Sequence, residues 1–260
     1  MSSTAIQLLS TDYDGTLIGF SHPAHCVEPL SDVLRAHQNA GGLWAINTGR
    51  SLEHTLGGLD VFAGPVEPDF LRTNARDVHR KSHGEWVEYG DWNHQSRLRH
   101  EELYVSAEDV FDSIHASYSR HPAVRIIHEH GRMAGLVTDS EGMMDRVVKE
   151  LVRLSEPFPE FSFQRNTIYL RFCHSAYDKG SALTELCRLE GVPVESVLAV
   201  GDNHNDLSML QSTRAGMVAC PANAITPVRD AVKRAGGYIS AYDYGEGVAD
   251  SWHHFTDLNQ

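Results

Sequence analysis

The feature that most constrains this chain is a short apolar run, Ile6 to Thr11, that stops at Asp12-Tyr13-Asp14-Gly15-Thr16-Leu17. A run that short, cut off by an Asp-x-Asp-Gly turn, predicts a buried strand. Two carboxylates two residues apart just beyond such a strand can both face the crevice at the carboxyl edge of an open sheet, where ligands bind in α/β folds. So close together they repel, and a hard cation such as Mg²⁺ relieves the repulsion. One carboxylate can attack phosphorus and form an acyl phosphate, while the other protonates the leaving oxygen and later activates water. A solvated Asp-x-Asp-Gly turn fits the same letters, so the rest of the chain has to decide.

The first third continues in strand–helix alternation. Pro29 to Ala40 carries Leu30, Val33, Leu34 and His37 at helical spacing, with Pro29 early and Gly41-Gly42 past the end. Leu43 to Asn47 is the next strand, Ser51 caps a short helix, and Phe70 to Thr73 is a third strand. The last third repeats the rhythm. Gly180 to Glu190 reads as a helix stopped by Gly191, Val197 to Val200 as a strand, and the chain from about Asn205 as a helix. A strand around Met217 to Ala219, a helix from Thr226 to Arg234 with Pro227 in its first turn, and a short strand at Tyr238-Ile239 follow. Alternation at both ends predicts an α/β fold, a Rossmann-like parallel sheet covered by helices.

The middle breaks that pattern. From about Gly84 to Phe172 the chain is rich in Arg, His and aromatic residues. Val124 to His128 and Met133 to Thr138 flank His130-Gly131 as a hairpin, Val147 to Leu154 reads as a helix, and Thr167 to Phe172 alternates like an antiparallel strand. The expected organisation is a core from residues 1–80 and 174–260 with an α+β cap domain, 81–173, inserted between.

Three more clusters fall where the crevice would be. Asn47-Thr48-Gly49-Arg50 follows a strand and precedes a helix, where a hydroxyl and free N–H groups make an anion site. Asp178-Lys179-Gly180 opens a helix, and a lysine there can neutralise a nucleophile–phosphate pair. Gly201-Asp202-Asn203-His204-Asn205-Asp206 closes an apolar strand. Asp202 suits an oxygen ligand for Mg²⁺, Asp206 supports the metal from behind, and Asn205 donates to phosphate or caps the helix. Each cluster alone has a plainer reading: a helix cap, a solvated lysine, an acid in a helix's first turn. All of them in this order do not.

Together, TDYDGTL, INTGR, YDKG and GDNHND resemble the four motifs of the haloacid dehalogenase superfamily, whose phosphatases show DxDGT, a strand-ending Ser or Thr, a Lys and GDxxxD. The likeness covers both core segments. The insertion between the Thr48 and Lys179 motifs is similar to the type IIB cap of the branch holding Cof-like phosphatases, sucrose-phosphate phosphatases and phosphomannomutases. Cys220-Pro221-Ala222-Asn223-Ala224 and Gly245 to Asp250 are also similar to that branch and are taken as loops bordering the site or structural turns. The resemblance implies Asp12 as nucleophile and Asp14 as general acid/base. It implies Mg²⁺ held by the Asp12 carboxylate, the Asp14 carbonyl and Asp202, with the phosphoryl oxygens held by Thr48, the Gly49 N–H and Lys179. Two departures stand out: Tyr13 between the aspartates, and Thr73-Asn74-Ala75-Arg76 where Asn-Gly is usual.

The implied activity is Mg²⁺-dependent hydrolysis of a small phosphorylated metabolite, a sugar phosphate by analogy, through a phospho-aspartate. A sugar phosphomutase would use the same motifs, and a silent binding module could share the fold, although it has no chemical need for the intact set. Cap residues Arg97, Arg99, Arg120, Arg125, Arg132, Arg165, His128 and His130 are candidates to meet the leaving group. A formal net charge of −13 argues against a general nucleic-acid binder. The four scattered cysteines, the lack of a charged-then-apolar leader and the lack of an apolar run of membrane-spanning length predict a cytoplasmic chain with reduced thiols and no membrane partner. The pairs His128/His130 and His253/His254 could bind a transition metal such as zinc, but no further ligands stand at a recognisable spacing. Oligomeric state has no signature in the sequence.

Overall fold

The computed structural model of the chain describes residues 5–19, 25–64, 66–129 and 131–257. In chain order the elements are β1 (Leu8–Thr11), α1 (Glu28–Asn39), β2 (Leu43–Asn47), α2 (Leu52–Phe62), β3 (Phe70–Thr73), β4 (Asp77–Ser82), β5 (Glu85–Glu88), α3 (Trp92–Ser106) and α4 (Glu108–Tyr118). Then come β6 (Val124–Glu129), β7 (Arg132–Thr138), α5 (Glu141–Ser155), β8 (Phe161–Asn166), β9 (Tyr169–His174) and α6 (Lys179–Glu190). The chain closes with β10 (Val197–Val200), β11 (Met217–Cys220), α7 (Thr226–Arg234), β12 (Tyr238–Ile239) and α8 (Tyr244–Asp257). The described residues fall into two compact units divided at Asn93/His94 and at Asp178/Lys179.

The first unit is built on a sheet of order β12-β11-β10-β1-β2-β3-β4-β5. It is parallel from β12 to β3 and antiparallel beyond. Strands β1, β2, β3, β10 and β11 are almost wholly buried on both faces and mostly apolar, as expected of a parallel sheet covered by helices. Leu8 packs with Ala45, Val197 and Ala199 against Leu183 and Leu186 of α6 and Val228 of α7. Leu9 packs with Trp44, Ile46 and Leu198 against Leu30 and Leu34 of α1, Phe62 of α2 and Val248 of α8. The chain builds outward from β1 in both directions, through β2 on one side and β10 on the other. That reversal places the ligand crevice at the carboxyl end of β1.

The second unit is a four-stranded antiparallel sheet of order β6-β7-β9-β8. Leu136, Leu170, Phe161 and Phe172 pack against Leu103 of α3, Ile114 of α4 and Val147 and Leu151 of α5. No described helix is long and apolar enough to cross a membrane.

Several elements differ from the sequence reading. The insertion was expected at 81–173, whereas the compact unit is His94–Asp178. The β4–β5 hairpin extends the core sheet, pairing on β3, and Asn93 fastens the chain beyond it by bonding both backbone polar groups of Val78. The helix expected at Val147–Leu154 starts earlier, at Glu141, because Ser140 caps it by accepting from the Met143 N–H. The helix expected from Asn205 is one 3₁₀ turn, His204–Asp206. Gly245 to Asp250, taken as loops or turns, lies inside α8. The strand expected at Thr167 starts at Tyr169, since Thr167 sits in a left-handed turn with φ 54°.

Candidate active site

Asp12 follows β1 and is almost wholly buried, its N–H donating to Val200 O of β10 at 3.0 Å. Its Oδ1 accepts from the Tyr13 N–H at 2.7 Å and faces Lys179 Nζ at 2.8 Å. Its Oδ2 is buried without a hydrogen-bond partner. One oxygen is therefore fixed and the other left with an unused lone-pair direction, an arrangement expensive to bury unless something fills it.

Lys179, fully buried at the head of α6, also donates to Asp206 Oδ1 at 2.7 Å. Burial alone would pull its pKa down, but Asp12 and Asp206 outweigh that and leave it raised. Asp206 is saturated, because its Oδ2 accepts from the N–H groups of Asp202 and Asn203, both at 2.9 Å. Asp202 accepts from Thr16 Oγ1 at 2.7 Å. Gly15 lies against it with φ +85°, and a Cβ there would sit 2.3 Å from Asp202 Oδ2, so only glycine fits.

Asp12, Asp202 and Asp206 offer oxygens within 4.8 Å of one another. Among the described residues they are the group of three or more metal-binding side chains so placed. Three buried carboxylates face one buried ammonium, and burial with the excess negative charge shows in the titration of Asp12 and Asp202. Burial, then repulsion from Asp206, raises Asp12 well above the usual carboxylate range, with Lys179 opposing. Burial, then Asp206, pushes Asp202 up to about 7. A hard divalent cation would remove that penalty, and the clustered carboxylates of Asp12 and Asp202 are an all-oxygen donor set that suits Mg²⁺.

Of the remaining expected residues, Thr48 and Gly49 follow β2 and Asn205 follows β10. Thr48 is buried, its hydroxyl accepting from the Arg50 N–H at 3.1 Å. Its backbone is held by β3 and the β3–β4 turn through Thr48 N→Arg72 O and Ala75 N→Thr48 O, both 2.8 Å. Asn74 and Ala75, at φ 51° and 59°, form that turn in the left-handed conformation usually given to Asn-Gly. The turn thus sets the Thr48–Arg50 loop, with Asn74 N donating to Arg50 O at 2.7 Å. A Cβ on Gly49 would lie 3.9 Å from Asn205 Nδ2, which puts Gly49 and Asn205 side by side, and Asn205 Oδ1 is a second buried oxygen without a partner.

Asp14 is not part of the buried cluster. Its carboxylate takes a two-pronged grip from Arg50, Nε to Oδ2 at 2.7 Å and Nη2 to Oδ1 at 2.6 Å. The Arg50 guanidinium lies over the Tyr13 ring at 4.7 Å, and the Tyr13 hydroxyl donates to Gly58 O of α2 at 2.7 Å. Tyr13, odd as a spacer in the sequence, is therefore the floor under Arg50, and burial pushes its hydroxyl up to about 12. An open groove of about 670 Å³ begins here, lined by Tyr13, Arg50, Glu53, His54 and Gly57.

Sequence reasoning missed the Arg50–Asp14 pair, Thr16 and Asn223. Asn223 donates to Gly15 O at 2.8 Å and accepts from the Tyr244 N–H at 2.9 Å, tying the Asp14 loop to the start of α8. Its signal was the Cys220 to Ala224 stretch, noted without a role. In the second unit, Arg99 pairs with Glu102, Arg132 with Glu101 and Arg165 with Asp145. His130 of the expected His128/His130 pair lies outside the described residues. His254 stacks on Tyr238 at 3.9 Å, while His253 meets Trp252 edge-on. The four cysteines are free.

A family model of haloacid dehalogenase-like hydrolases matches residues 82–251. A phosphoglycolate phosphatase of Thermoplasma volcanium is 40% identical over 81 residues, 31% of this chain and 34% of that protein. One from Methanobrevibacter smithii is 36% identical over 79 residues, 30% of this chain and 31% of that protein. The match thus spans about a third of the length of these curated relatives. The sucrose-phosphatase of Synechocystis sp., solved with sucrose and phosphate, aligns at TM-score 0.72 and 16% identity, covering 97% of this chain and 98% of that one. At such identity the likeness is one of fold.

Proposed function

This chain belongs to the haloacid dehalogenase-like hydrolases, and on that premise we propose that it is a Mg²⁺-dependent phosphatase working through a phospho-aspartate at Asp12. The observation that carries this reading is the Asp12 carboxylate itself, with Oδ1 fixed by Lys179 and the Tyr13 N–H and Oδ2 buried without a partner. A carboxylate held by one oxygen presents the other in a single direction, which is what in-line attack on phosphorus needs.

In this scheme Asp12 Oδ2 attacks the phosphorus of a phosphate monoester, and the P–O bond to the leaving group breaks. Asp14, protonated, gives its proton to the departing oxygen. Asp14, now ionised, takes a proton from water, the resulting hydroxide attacks the acyl phosphate, and inorganic phosphate leaves with Asp12 restored. Lys179, the Thr48 hydroxyl, the Gly49 N–H and Asn205 hold the phosphoryl oxygens. Asp12, Asp202 and the Asp14 carbonyl would hold Mg²⁺, with Asp206 orienting Lys179 and the Asp202 loop. The bound cation supplies neutralisation of the charge gathered at the site.

For Asp14 to reach a leaving group, its carboxyl has to leave the two-pronged grip of Arg50. The substrate we propose is a small phosphorylated metabolite, a sugar phosphate first, as for the sucrose-phosphatase of like fold. Phosphoglycolate is the second candidate, from the curated relatives that carry that name. We place the enzyme in the cytoplasm on its free thiols.

The test is phosphate release from a panel of sugar phosphates, polyol phosphates, nucleotides and 2-phosphoglycolate, with Mg²⁺ or with EDTA. The expected result is Mg²⁺-dependent release concentrated on one compound and abolished in Asp12→Asn. A folded protein that releases nothing from any of them, or an Asp12→Asn variant at full turnover, would overturn the reading.

A further inference from the structure

Beneath the acid cluster lies a cation that the scheme above does not use. Arg72, in the middle of β3, is fully buried. It forms no ion pair with a carboxylate among the described residues. Its Nη1 donates to the backbone carbonyl of Lys179 at 3.3 Å, its Nη2 donates to Ser10 Oγ, and its Nε has no acceptor. Burial lowers its pKa to about 9, which leaves it charged at neutral pH. The titratable group that bears on it is the Cys187 thiol, itself raised by burial and so neutral. A guanidinium stripped of water with no counter-charge is a stability cost, and an apolar side chain of similar length in its place is often neutral or stabilising.

Both groups that accept a hydrogen bond from Arg72 belong to the segments that present the proposed reacting groups. Ser10 is two residues before Asp12 on β1, on the same face of the sheet. Lys179 opens α6, and its ammonium meets Asp12 and Asp206. The Lys179 carbonyl also accepts from Asn47 Nδ2 at 3.0 Å, while the next residue, Gly180, donates its N–H to Ser208 Oγ at 3.0 Å. The head of α6 is therefore held from several directions, and Arg72 supplies a charged donor to its backbone.

We propose that Arg72 is a positioning residue for phosphoryl transfer, seating the Lys179 backbone so that its ammonium reaches Asp12. This rests on the reading of Asp12 as nucleophile. A helix head displaced by a few tenths of an ångström still admits substrate, but it misplaces the ammonium against the charge that builds at phosphorus. The loss then falls on the transition state rather than on binding.

The experiment compares wild type with Arg72→Met, Arg72→Lys and Arg72→Gln on the best phosphomonoester, in Mg²⁺. It reads Tm, kcat, KM, and inhibition by orthovanadate, which mimics five-coordinate phosphorus, against inhibition by inorganic phosphate. For Arg72→Met the expected Tm equals or exceeds wild type, while kcat falls about 10- to 100-fold and KM stays within about three-fold. Vanadate inhibition weakens in step with kcat, phosphate inhibition much less, and Arg72→Lys recovers part of kcat. A lower Tm with wild-type kcat would show a purely structural arginine and overturn the proposal. So would equal losses toward vanadate and phosphate. Should Arg72→Met fail to fold, wild-type kcat in folded Arg72→Gln overturns it equally. If wild type itself releases no phosphate, the phosphatase reading falls first and takes this one with it.

Discussion

Asp202 and Asp12 carry the plainest chemical consequence of the site. Both are raised, Asp202 to about 7, because burial and the neighbouring Asp206 penalise their charged forms. On the proposed function a bound cation would need those charges, so protons and Mg²⁺ would compete for the same oxygens. The affinity for Mg²⁺ is expected to fall as pH drops below about 7, approaching about tenfold per pH unit for each carboxylate that must ionise on binding. Calorimetric Mg²⁺ titrations at pH 8 and pH 6 read this directly, and equal affinities at the two would contradict it. At this scale the sequence was most informative, because Asp12, Thr48, Lys179 and Asp202 each stand at the end of a strand or the head of a helix. What it hid were partners far apart in the chain, such as Arg50 on Asp14, Asn223 on Gly15 and Arg72 on Lys179. Their side chains sit in unremarkable local contexts and acquire meaning only through pairing.

Among the elements, α1 and α8 meet through a buried histidine with a pH signature of its own. His37 Nε2 lies 2.9 Å from Leu43 O, and Trp252 Nε1 of α8 lies 3.4 Å from its Nδ1. The ring is therefore neutral with its proton on Nε2, and burial lowers its pKa below the ordinary 6.5. Its folded form resists a proton that the unfolded chain accepts. Its contribution to stability is thus fully present above about pH 6.5 and is lost as pH falls toward the lowered folded value. Asp12 and Asp202 act with the opposite sign, being raised in the fold, so the histidine's share is read as a difference between proteins. In EDTA, Tm should fall more from pH 8 to pH 5 in wild type than in His37→Gln, and parallel falls would contradict the assignment.

Element boundaries in the core were legible where apolar spacing and stop signals agree, as in α1, β2, α7 and β12. Gly245 to Asp250, expected as loops or turns, is helical in α8, with Gly245 and Gly247 buried where a Cβ would meet Leu30 or the Tyr242 carbonyl. Close packing there outweighs propensity. Helix α3 gave little signal, since its charged residues Arg97, Arg99, Glu101 and Glu102 leave little apolar surface to show a period.

On the scale of the whole molecule, the site is assembled by sheet order. Parallel pairing of Thr11 with Val200 brings Asp12 and Asp202 together across 190 residues of sequence, and the second unit lies between them in the chain. The alternation of strands and helices foretold a parallel sheet. The order of its strands, and the antiparallel extension through β4 and β5 that moved the expected boundary, depended on pairing that a single sequence does not display. Everything assembled this way converges on one atom, Asp12 Oδ2. The most direct measurement is acid quench of the enzyme during turnover of its best ³²P-labelled monoester in Mg²⁺, with the label located by peptide mass spectrometry. The account predicts a hydroxylamine-labile phosphoryl group on Asp12, absent from Asp12→Asn and from the EDTA control. Steady turnover with no label on the protein, or label on a different residue, would contradict it.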